Sequence, residues 1–391
     1  MTPLITVAIP TRNRQLCAAT LVRAALELIP DCQVVVNDNS DDDSLGALLG
    51  DMVSDPRLSY CYQPDNLSVV ENFNNALARS TGEYITFLGD DDMIGPRFRE
   101  FVLKAKAAGI DALLYRTDRR PLHYFWPGVS SPRWGDMGGK LYFSRYTGRG
   151  HDLDIQWASR DAIAHLGTGP RRMPRIYLGV ISRKLVERAE ATFGPLFGGF
   201  SPDVYSSHLL ARCCAKPVVV DYPLIIPGAS PKSTSAARAE RSDVGGLTAN
   251  DHIGRFVRVD WDERIPKYYS PYTVWAQTHV KAHTKTGDSI PVRAFAHLYA
   301  SCLIFTPRQA LQALPNAIRA HGSVSKMAKV ILRTAPSLVA VLTTYALEKV
   351  PALLTRRPGG ARFEVSGAID ARRALRELEN RLGAEIPEFC R

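Results

Sequence analysis

The sequence predicts an α/β protein with a mainly parallel sheet flanked by helices, followed by a mainly helical C-terminal region. In the first hundred residues, short apolar runs alternate with segments whose apolar residues recur at helical spacing. Polar and acidic residues follow directly after several of these runs. Strands that alternate with helices favour a parallel sheet with right-handed connections.

Four apolar runs predict buried strands, and two intervening segments predict helices. The predicted strands are Leu4–Ile9, Gln33–Val36, Leu58–Tyr62 and Tyr84–Leu88. The predicted helices are Leu16–Ile29, stopped by Pro30, and Val69–Leu77, closed by Gly82. From 115 to 175 the mixture of aromatic residues, Gly, Pro and Arg predicts long loops, and 176–226 regains strand and helix character. Residues 229–246 predict a loop or hinge rich in Ser, Ala and Gly.

Composition narrows the class of protein without selecting one. The net charge is +10 and the pI about 9.3, which suits nucleic acid, an anionic membrane surface or a phosphate-bearing substrate. The seven Cys are odd in number and form no CxxC pair, which favours a reducing compartment over a zinc site or a disulfide framework. The N-terminus has no signal-peptide pattern, and the apolar stretch Thr334–Leu347 is shorter than a spanning helix needs. We therefore expect a cytoplasmic protein, with a peripheral contact at the inner face of a membrane left open.

The acidic cluster Asp90-Asp91-Asp92 follows the fourth predicted strand and is preceded by Gly89. Adjacent carboxylates repel one another unless a cation or solvent intervenes. Mg²⁺-type ions often take one or two carboxylates and complete their shell with substrate phosphates. The cluster therefore suits a metal bound to a diphosphate, and a solvated acidic turn is the alternative.

Two other predicted strands also end in polar residues. Asp38 ends the second strand, and Thr11 to Arg14 follow the first. In open α/β sheets, ligands bind outside the carboxyl ends of the strands. Asp38 suits a base or ribose hydroxyl, and its alternative role is an N-cap or an Asx-turn in Asn37 to Asp41.

Four blocks of sequence carry a resemblance to a known family, and they are Val7–Arg14, Val35–Ser40, Asn66–Leu77 and Thr81–Asp92. Over residues 4–100, and more weakly to about 235, the chain resembles the family 2 glycosyltransferases of the GT-A fold. The resemblance implies a GT-A type, Rossmann-like domain, a nucleotide-diphosphate sugar donor, a divalent metal (Mn²⁺ or Mg²⁺) and inversion at the anomeric carbon. It also implies a role in polysaccharide or glycoconjugate biosynthesis and a saccharide or lipid-linked saccharide as acceptor.

The resemblance implies a role for several residues, position by position. Thr11 and Asn13 match the first nucleotide-binding loop, Asp38 the acid that binds base or ribose, and Asn72 a polar position before the metal motif. Asp90 is assigned to the nucleotide sugar, and Asp91 and Asp92 match the final acids of the metal-binding DXD motif. Many members have Asp where this chain has Gly89, so the acid that bonds directly to the metal is left open.

Asp203, within Gly198 to Tyr205, resembles the family's downstream acid, which acts as general base on the acceptor hydroxyl. Ser201, Pro202 and Asp203 also form a helix-start pattern: a cap, a proline in the first turn and an acid favoured by the helix dipole. Both roles are compatible.

The loop Gly228–Ser235 carries Lys232, Ser233 and further hydroxyls. It suits closure over a diphosphate with charge-assisted donors, and a plain surface loop is the alternative. The His residues show no metal-ligand spacing.

We expect two regions: a catalytic domain over 1–245, with a nucleotide-binding half (1–100) and an acceptor half (101–245), and a helical region over 246–391. The helical region has basic residues around the apolar stretch Ser337–Leu347. An interfacial helix beside anionic lipid and a buried helix with solvated basic ends both fit, and burial is the favoured prediction.

Two other functions remain as alternatives at this point. A sugar nucleotidyltransferase also combines an α/β sheet with a metal, but it usually needs a Gly-rich loop after the first strand, and Pro10 to Arg14 contain no Gly. A non-catalytic nucleic-acid-binding protein is suggested by the charge alone, and the sequence has no contiguous Lys/Arg run or zinc finger to support it.

Overall fold

The structure is a computed structural model of the 391-residue chain. It describes residues 2–115, 121–231, 233, 244–247, 251–367 and 371–382.

The strands in chain order are β1 (Ile5–Thr11), β2 (Cys32–Asp38), β3 (Leu58–Tyr62), β4 (Tyr84–Phe87), β5 (Met93–Ile94), β6 (Ala112–Tyr115), β7 (His123–Phe125), β8 (Ser130–Ser131), β9 (Gly135–Asp136), β10 (Lys140–Phe143), β11 (Gly150–Asp152), β12 (Val180–Ser182), β13 (Pro217–Val220), β14 (Ile225–Ile226), β15 (Gly228–Ala229) and β16 (Phe363–Val365).

The α-helices in chain order are α1 (Gln15–Leu28), α2 (Ser44–Leu49), α3 (Val69–Arg79), α4 (Phe98–Ala107), α5 (Ile155–Ala164), α6 (Arg183–Phe193), α7 (Pro202–Cys213), α8 (Asp251–Gly254), α9 (Pro271–Lys285), α10 (Val292–Phe305), α11 (Pro307–Arg319), α12 (Val324–Thr355) and α13 (Ala371–Leu382). Short 3₁₀ turns occupy Gly50–Ser54 and Pro358–Gly360.

An eight-stranded sheet forms the centre, in the order β11-β13-β6-β12-β4-β1-β2-β3. Strands β4, β1, β2 and β3 are parallel, and β12 is antiparallel to both of its neighbours. Every residue of β1 is buried because both faces of the sheet are covered, which is why this strand is a continuous apolar run. The four strands and two helices predicted for the first hundred residues are confirmed, with ends that move by a few residues.

The region predicted as long loops, 115–175, contains several short regular elements, so that prediction is wrong where they lie. It contains β7 to β11 and α5. Strands β15, β7, β10 and β16 form a second sheet, in which β7 pairs with both β10 and β15. These strands have two to four residues each, too short for a period-two pattern to stand out from the surrounding aromatic residues.

The C-terminal region is mainly helical, as predicted. Thr306 is the cap residue of α11 and Pro307 its first residue, although the Thr306 side chain makes no capping hydrogen bond. Helix α13 ends at Leu382 in the described part of the chain, and the predicted stop at Gly383 lies outside it.

Helix α12 differs from both expectations for this stretch. It has 32 residues instead of the short apolar run predicted, because Lys and Arg residues at its ends belong to the same helix. The prediction that it is buried is wrong: only Val330, Val341 and Ala352 are buried along it. By length and composition alone, α12 is the one helix in the described ranges that could cross a membrane.

Candidate active site

The carboxyl ends of β1, β2 and β4 lie side by side at one edge of the central sheet. Strand register places Thr11 opposite Asp38, while Ala8 lies opposite Phe87 at the end of β4. Residues 88–92 continue directly from β4 and bring the acidic cluster to the same edge. This is the convergence that the alternation of elements predicts.

Asp90 is fully buried and bound by the loop that follows β1. The hydroxyl of Thr11 donates to Asp90 Oδ2 at 2.6 Å, and Arg14 Nε lies 2.9 Å from Asp90 Oδ1. Burial raises the pKa of Asp90 to about 6, and the nearby Arg14 guanidinium opposes that rise.

Asp91 is held by the loop after β15. Its Oδ2 accepts hydrogen bonds from the backbone N–H and the hydroxyl of Ser230, each at 2.8 Å. Arg14 Nη1 lies 3.4 Å from the same oxygen, and the Trp126 indole donates to the Asp91 backbone carbonyl at 2.7 Å. Among the described residues, Asp91 Oδ1 accepts no hydrogen bond, so this oxygen remains open to a ligand.

Asp92 has both carboxylate oxygens bonded to the backbone. Oδ2 accepts from the N–H of Gly89 at 2.7 Å, and Oδ1 accepts from the N–H of Gly228 at 2.8 Å. Burial, and then the neighbouring Asp91, raise the pKa of Asp92 well above its ordinary value. These contacts make Asp92 the residue that ties the acidic turn to β15.

In the family that the sequence resembles, the position of Gly89 is often occupied by an acid. The structure shows why a side chain does not fit at this position in the present chain. A Cβ built on Gly89 would lie 2.7 Å from the Tyr177 hydroxyl and 3.0 Å from Asp92 Oδ2. Tyr177, joined to Phe87 by a β-bridge, fills that space, and burial together with the acidic cluster raises the pKa of its hydroxyl.

The loop that follows β1 is hydrogen-bonded to the segment after β2. Asn13 adopts a positive φ of 54°, its backbone N–H donates to the Ser40 hydroxyl at 2.8 Å, and its amide donates to Asp41 at 2.8 Å. Asn residues tolerate this left-handed conformation better than most. Asn13 therefore shapes the loop that carries Thr11 and Arg14.

Asp38 and Asn72 lie behind this loop. Asp38 is buried, and its carboxylate accepts from the Ser40 backbone N–H at 2.9 Å, which is the predicted Asx-turn, and from the Tyr60 hydroxyl at 3.3 Å. Burial raises the pKa of Asp38. Asn72, on α3, donates to the Thr11 carbonyl at 3.3 Å and accepts from Asn37 at 2.8 Å, so it links β1 to β2.

Among the described residues, no hydrogen bond or ion pair joins Asp203 to the acidic cluster. It lies in the first turn of α7, partly exposed, with Pro202 as the first helical residue and Ser201 as the cap. The Ser201 hydroxyl donates to the Asp203 carboxylate at 2.5 Å instead of capping the helix. The helix-start pattern is confirmed, while the catalytic role of Asp203 stays a prediction.

The segment before α7 packs against β4 through aromatic side chains. The Phe197 ring lies 4.9 Å from Phe87 and 5.2 Å from Phe73 between ring centroids. Because Phe87 is the last residue of β4, this aromatic packing ties the start of α7 to the strand that carries the acidic cluster.

The loop after β15 contributes through a residue the sequence did not single out. Ser230 binds Asp91, whereas the predicted Ser233 is buried and its backbone N–H donates to the Ser230 carbonyl at 2.9 Å. Lys232 lies outside the described residues. The hydroxyl-rich loop pattern pointed to the right segment but not to the residue within it.

Arg14 and Tyr177 are the other site residues missing from the sequence assignment. Arg14 stands in the same block as Thr11 and Asn13, so its position gave a signal. Tyr177 lies far from every motif in the sequence, and only its packing against Gly89 identifies it.

The acidic cluster fits a divalent cation held jointly with a ligand. In the described ranges, no three His, Cys, Asp or Glu side chains are grouped so that they could hold a metal by themselves. Among the described residues, Asp91 Oδ1 accepts no hydrogen bond, and Asp90 Oδ1 has the Arg14 Nε, at 2.9 Å, as its charged neighbour. One or two carboxylate oxygens completed by phosphate oxygens are what a Mg²⁺-type ion requires.

We expect the Arg14→Met substitution to lower the free energy of unfolding by about 3 kcal/mol at neutral pH, because it leaves buried carboxylates without their counter-charge. The loss should shrink below the Asp90 pKa of about 6, where Asp90 is protonated and no longer needs a cation. Urea unfolding at several pH values measures this.

The control for Arg14 is Arg12→Met. Arg12 pairs at 2.6 Å with Asp41, whose side chain is 68% exposed, so its loss should cost less than about 1 kcal/mol. Equal losses in the two variants would contradict the counter-charge role of Arg14.

We expect the Gly228→Ala substitution to destabilise the protein by about 1–3 kcal/mol. Its Cβ would lie 1.7 Å from the Asp91 carbonyl oxygen, so β15 would have to move away from the acidic turn. The matched control is Gly245→Ala, where no atom of the described residues other than its chain neighbours lies within 4 Å of the new Cβ. Thermal unfolding of both variants tests this, and an unchanged melting temperature for Gly228→Ala would show that the close contact is absent.

The central sheet, its flanking helices and the polar strand ends make a GT-A type fold. Residues 6–166, less than half of the chain, match the family model described as glycosyl transferase family 2, and this match supports an enzyme of glycosyl transfer.

Individual relatives are similar to the chain over different extents. The GalNAc(5)-diNAcBac-PP-undecaprenol beta-1,3-glucosyltransferase of Campylobacter jejuni is 31% identical over 93 residues, which are 23% of this chain and 30% of that protein. The chain therefore aligns with less than a third of this curated relative.

One solved structure shares the fold at low identity, and a second is similar with a lower TM-score. TarS 1-349 of S. aureus in complex with UDP-GlcNAc has a TM-score of 0.51 and 14% identity, covering 89% of this chain and 92% of that one. The mannosyltransferase PcManGT of Pyrobaculum calidifontis, in complex with GDP-Man and Mn²⁺, has a TM-score of 0.37 and 17% identity, covering 87% and 88%.

Proposed function

We propose that the protein is an inverting glycosyltransferase that moves a sugar from a nucleotide-diphosphate sugar to an acceptor hydroxyl in the biosynthesis of a glycoconjugate. The observation that carries the proposal is the 2.6 Å hydrogen bond from Thr11, at the end of β1, to Asp90, after β4. It joins the first nucleotide-binding loop to the acidic turn at the edge where α/β sheets bind ligands.

In this proposal, different residues at this edge of the sheet contact different parts of the nucleotide-sugar donor. Asp38 and the Asn13 loop hold the nucleoside, with Asn72 fixing β1 against β2 behind them. Asp91, oriented by Ser230, faces the diphosphate, and Asp92 holds the acidic turn against Gly228. Arg14 balances the cluster's charge, and Lys232 and Ser233 are the proposed donors from the loop that follows β15.

A bound divalent cation would neutralise the diphosphate as it leaves. Asp91 is the proposed protein ligand because its Oδ1 is open among the described residues, and Asp90 is the second. Asp92 was assigned to the metal from the sequence; its two backbone hydrogen bonds favour a positioning role instead.

Asp203 is the proposed general base. A carboxylate within hydrogen-bond reach of the acceptor hydroxyl removes its proton as the oxygen attacks the anomeric carbon from the face opposite the diphosphate. The packing of the Phe197 ring against Phe87 of β4 supports this assignment. It positions the start of α7 relative to the sheet edge that carries the proposed donor site.

The acceptor is proposed to be a saccharide, either free or linked to a lipid. The Campylobacter jejuni relative acts, by its name, on an undecaprenol-linked saccharide, and it is similar to this chain over 93 residues. The donor proposal has parallel support from the fold shared with a UDP-GlcNAc complex.

Thermal unfolding with UDP, GDP, dTDP and CDP, each with and without Mn²⁺, tests the proposal. A ligand that binds the folded state raises the melting temperature according to its affinity. We expect one nucleoside diphosphate with Mn²⁺ to raise it by about 5 °C at a hundred times its dissociation constant. If no diphosphate stabilises the protein even with Mn²⁺, the donor site as assigned does not exist.

A further inference from the structure

Helix α12 exposes a continuous line of apolar side chains to solvent. The line consists of Leu332, Ala335, Val339, Leu342, Ala346, Val350 and Leu353, here called the apolar stripe. Leu332 is 75% exposed and Val339 66%. Spacings of three and four residues place all seven on one side of the helix. Exposed apolar surface of this extent marks an interaction site.

The other side of α12 is fixed to the protein. Val330, Val341 and Ala352 recur every eleven residues and are buried, and Tyr345 packs against Phe305 of α10 with ring centroids 5.3 Å apart. Because this contact face runs along the whole helix, α12 could cross a bilayer only if the elements packed against it entered the bilayer too. A helix of 32 residues, about 48 Å long, can instead lie flat with the stripe outward.

The sequence that contains most of the stripe is strongly basic. Between Asp288 and Glu348 the sequence has no Asp or Glu but contains six basic residues: Arg293, Arg308, Arg319, Lys326, Lys329 and Arg333. In the described part of the chain, Lys326, Lys329 and Arg333 form no ion pair. Lys349, Arg356 and Arg357 lie at the other end of α12.

An apolar helix face can contact a second copy of the chain or a lipid surface. The positive charge favours one of these two partners. A second copy of the chain would bring two basic surfaces together, and like charges oppose that contact. An anionic lipid surface accepts the apolar stripe among its acyl chains and attracts the basic residues at its headgroups.

We propose that α12 docks the protein flat on an anionic lipid bilayer, with the apolar stripe inserted and the basic residues at the headgroups. The chain after α12 continues through Pro358–Gly360 into β16, which joins β10, β7 and β15 in one sheet. Gly228 of β15 binds Asp92, so the docked helix is connected to the donor edge through three strand spacings, about 14 Å. Docking would present the site to an acceptor held in the membrane, a step that rests on the proposed function.

Vesicle co-sedimentation of the full chain tests the docking. We expect binding to phosphatidylcholine vesicles that contain phosphatidylglycerol, weaker binding to phosphatidylcholine alone, and a decline with salt above about 0.1 M. The double variant Leu332→Glu/Val339→Glu should reduce the bound fraction about ten-fold. The matched control, Leu48→Glu/Val53→Glu, changes two apolar residues that are 44% and 48% exposed elsewhere and should bind like the wild type.

Three outcomes overturn the proposal: no binding of the wild type to anionic vesicles, equal binding of the stripe variant, or a dimer in solution that the stripe variant dissociates while vesicles are ignored. An unchanged melting temperature of the stripe variant shows that it folds. Nucleotide stabilisation, measured in parallel, separates a failure of docking from a failure of the proposed transfer activity.

Discussion

The Asp91→Asn substitution is expected to lower turnover by about 10²–10³-fold, because in the proposed site it weakens the hold on the divalent cation that would neutralise the diphosphate as the bond to the sugar breaks. Asn keeps the shape of Asp and an oxygen that can still accept from Ser230, which donates to Asp91 at 2.8 Å. The loss should therefore be electrostatic and not structural. Initial rates with a nucleotide sugar and Mn²⁺ measure it.

The same variant should lose most of the stabilisation that Mn²⁺ adds to the nucleotide complex. The matched control is Asp136→Asn, in the β8–β9 hairpin, where the carboxylate accepts from the nearby Gly138 backbone N–H at 2.9 Å and from no other described residue. It should retain turnover and the Mn²⁺ response. Turnover by Asp91→Asn close to that of the wild type, or unchanged by chelation, would remove Asp91 from the metal role.

Asp92→Asn should behave differently from Asp91→Asn. Both oxygens of Asp92 accept backbone hydrogen bonds, from Gly89 and Gly228, and an amide can accept at only one of these positions. One N–H would then face an NH₂ group, so the melting temperature should fall along with the activity. The two substitutions thus separate an acid that faces the ligand from an acid that holds the turn.

The part of the fold that sequence predicts well is the part where local pattern and burial agree. Strand β1 is predicted because both of its faces are covered, so a run of apolar residues marks it. Parallel neighbours then place Thr11, Asp38 and the acidic turn at one edge without any side-chain detail. Residue roles at that edge depend on which oxygen each N–H reaches, and no spacing in the sequence encodes that.

The site residues that the sequence does not predict come from segments that lie far apart along the chain. Ser230 and Gly228 reach the acidic turn only because β15 pairs with β7, and Tyr177 reaches Gly89 through a single β-bridge. Helix α12 was expected to be buried because apolar stretches usually are, yet its seven stripe residues face solvent. Sequence shows that a helix face is apolar but not whether the fold supplies a partner for it.

The Asp203→Asn substitution is expected to lower turnover by about 10²–10⁴-fold, the range for loss of a general base. Donor binding should be unchanged, because Asp203 lies on α7 and no hydrogen bond or ion pair joins it to the acidic cluster among the described residues. The expected signature is a fall in kcat with little change in the KM for donor, and with the stabilisation by nucleoside diphosphate intact.

The alternative is that Asp203 acts only on the first turn of α7, where an acid is favoured by the helix dipole. The matched control is Asp154→Asn, which changes an acid at the start of α5 that accepts from the Trp157 backbone N–H at 2.9 Å. If Asp203 were merely structural, both variants would lose a similar, small amount of stability and both would keep their turnover.

Ser201→Ala sharpens the test, since it removes the 2.5 Å hydrogen bond to Asp203 and leaves the carboxylate in place. A base that Ser201 orients should lose about ten-fold in kcat in that variant, whereas a helix-start residue should lose none.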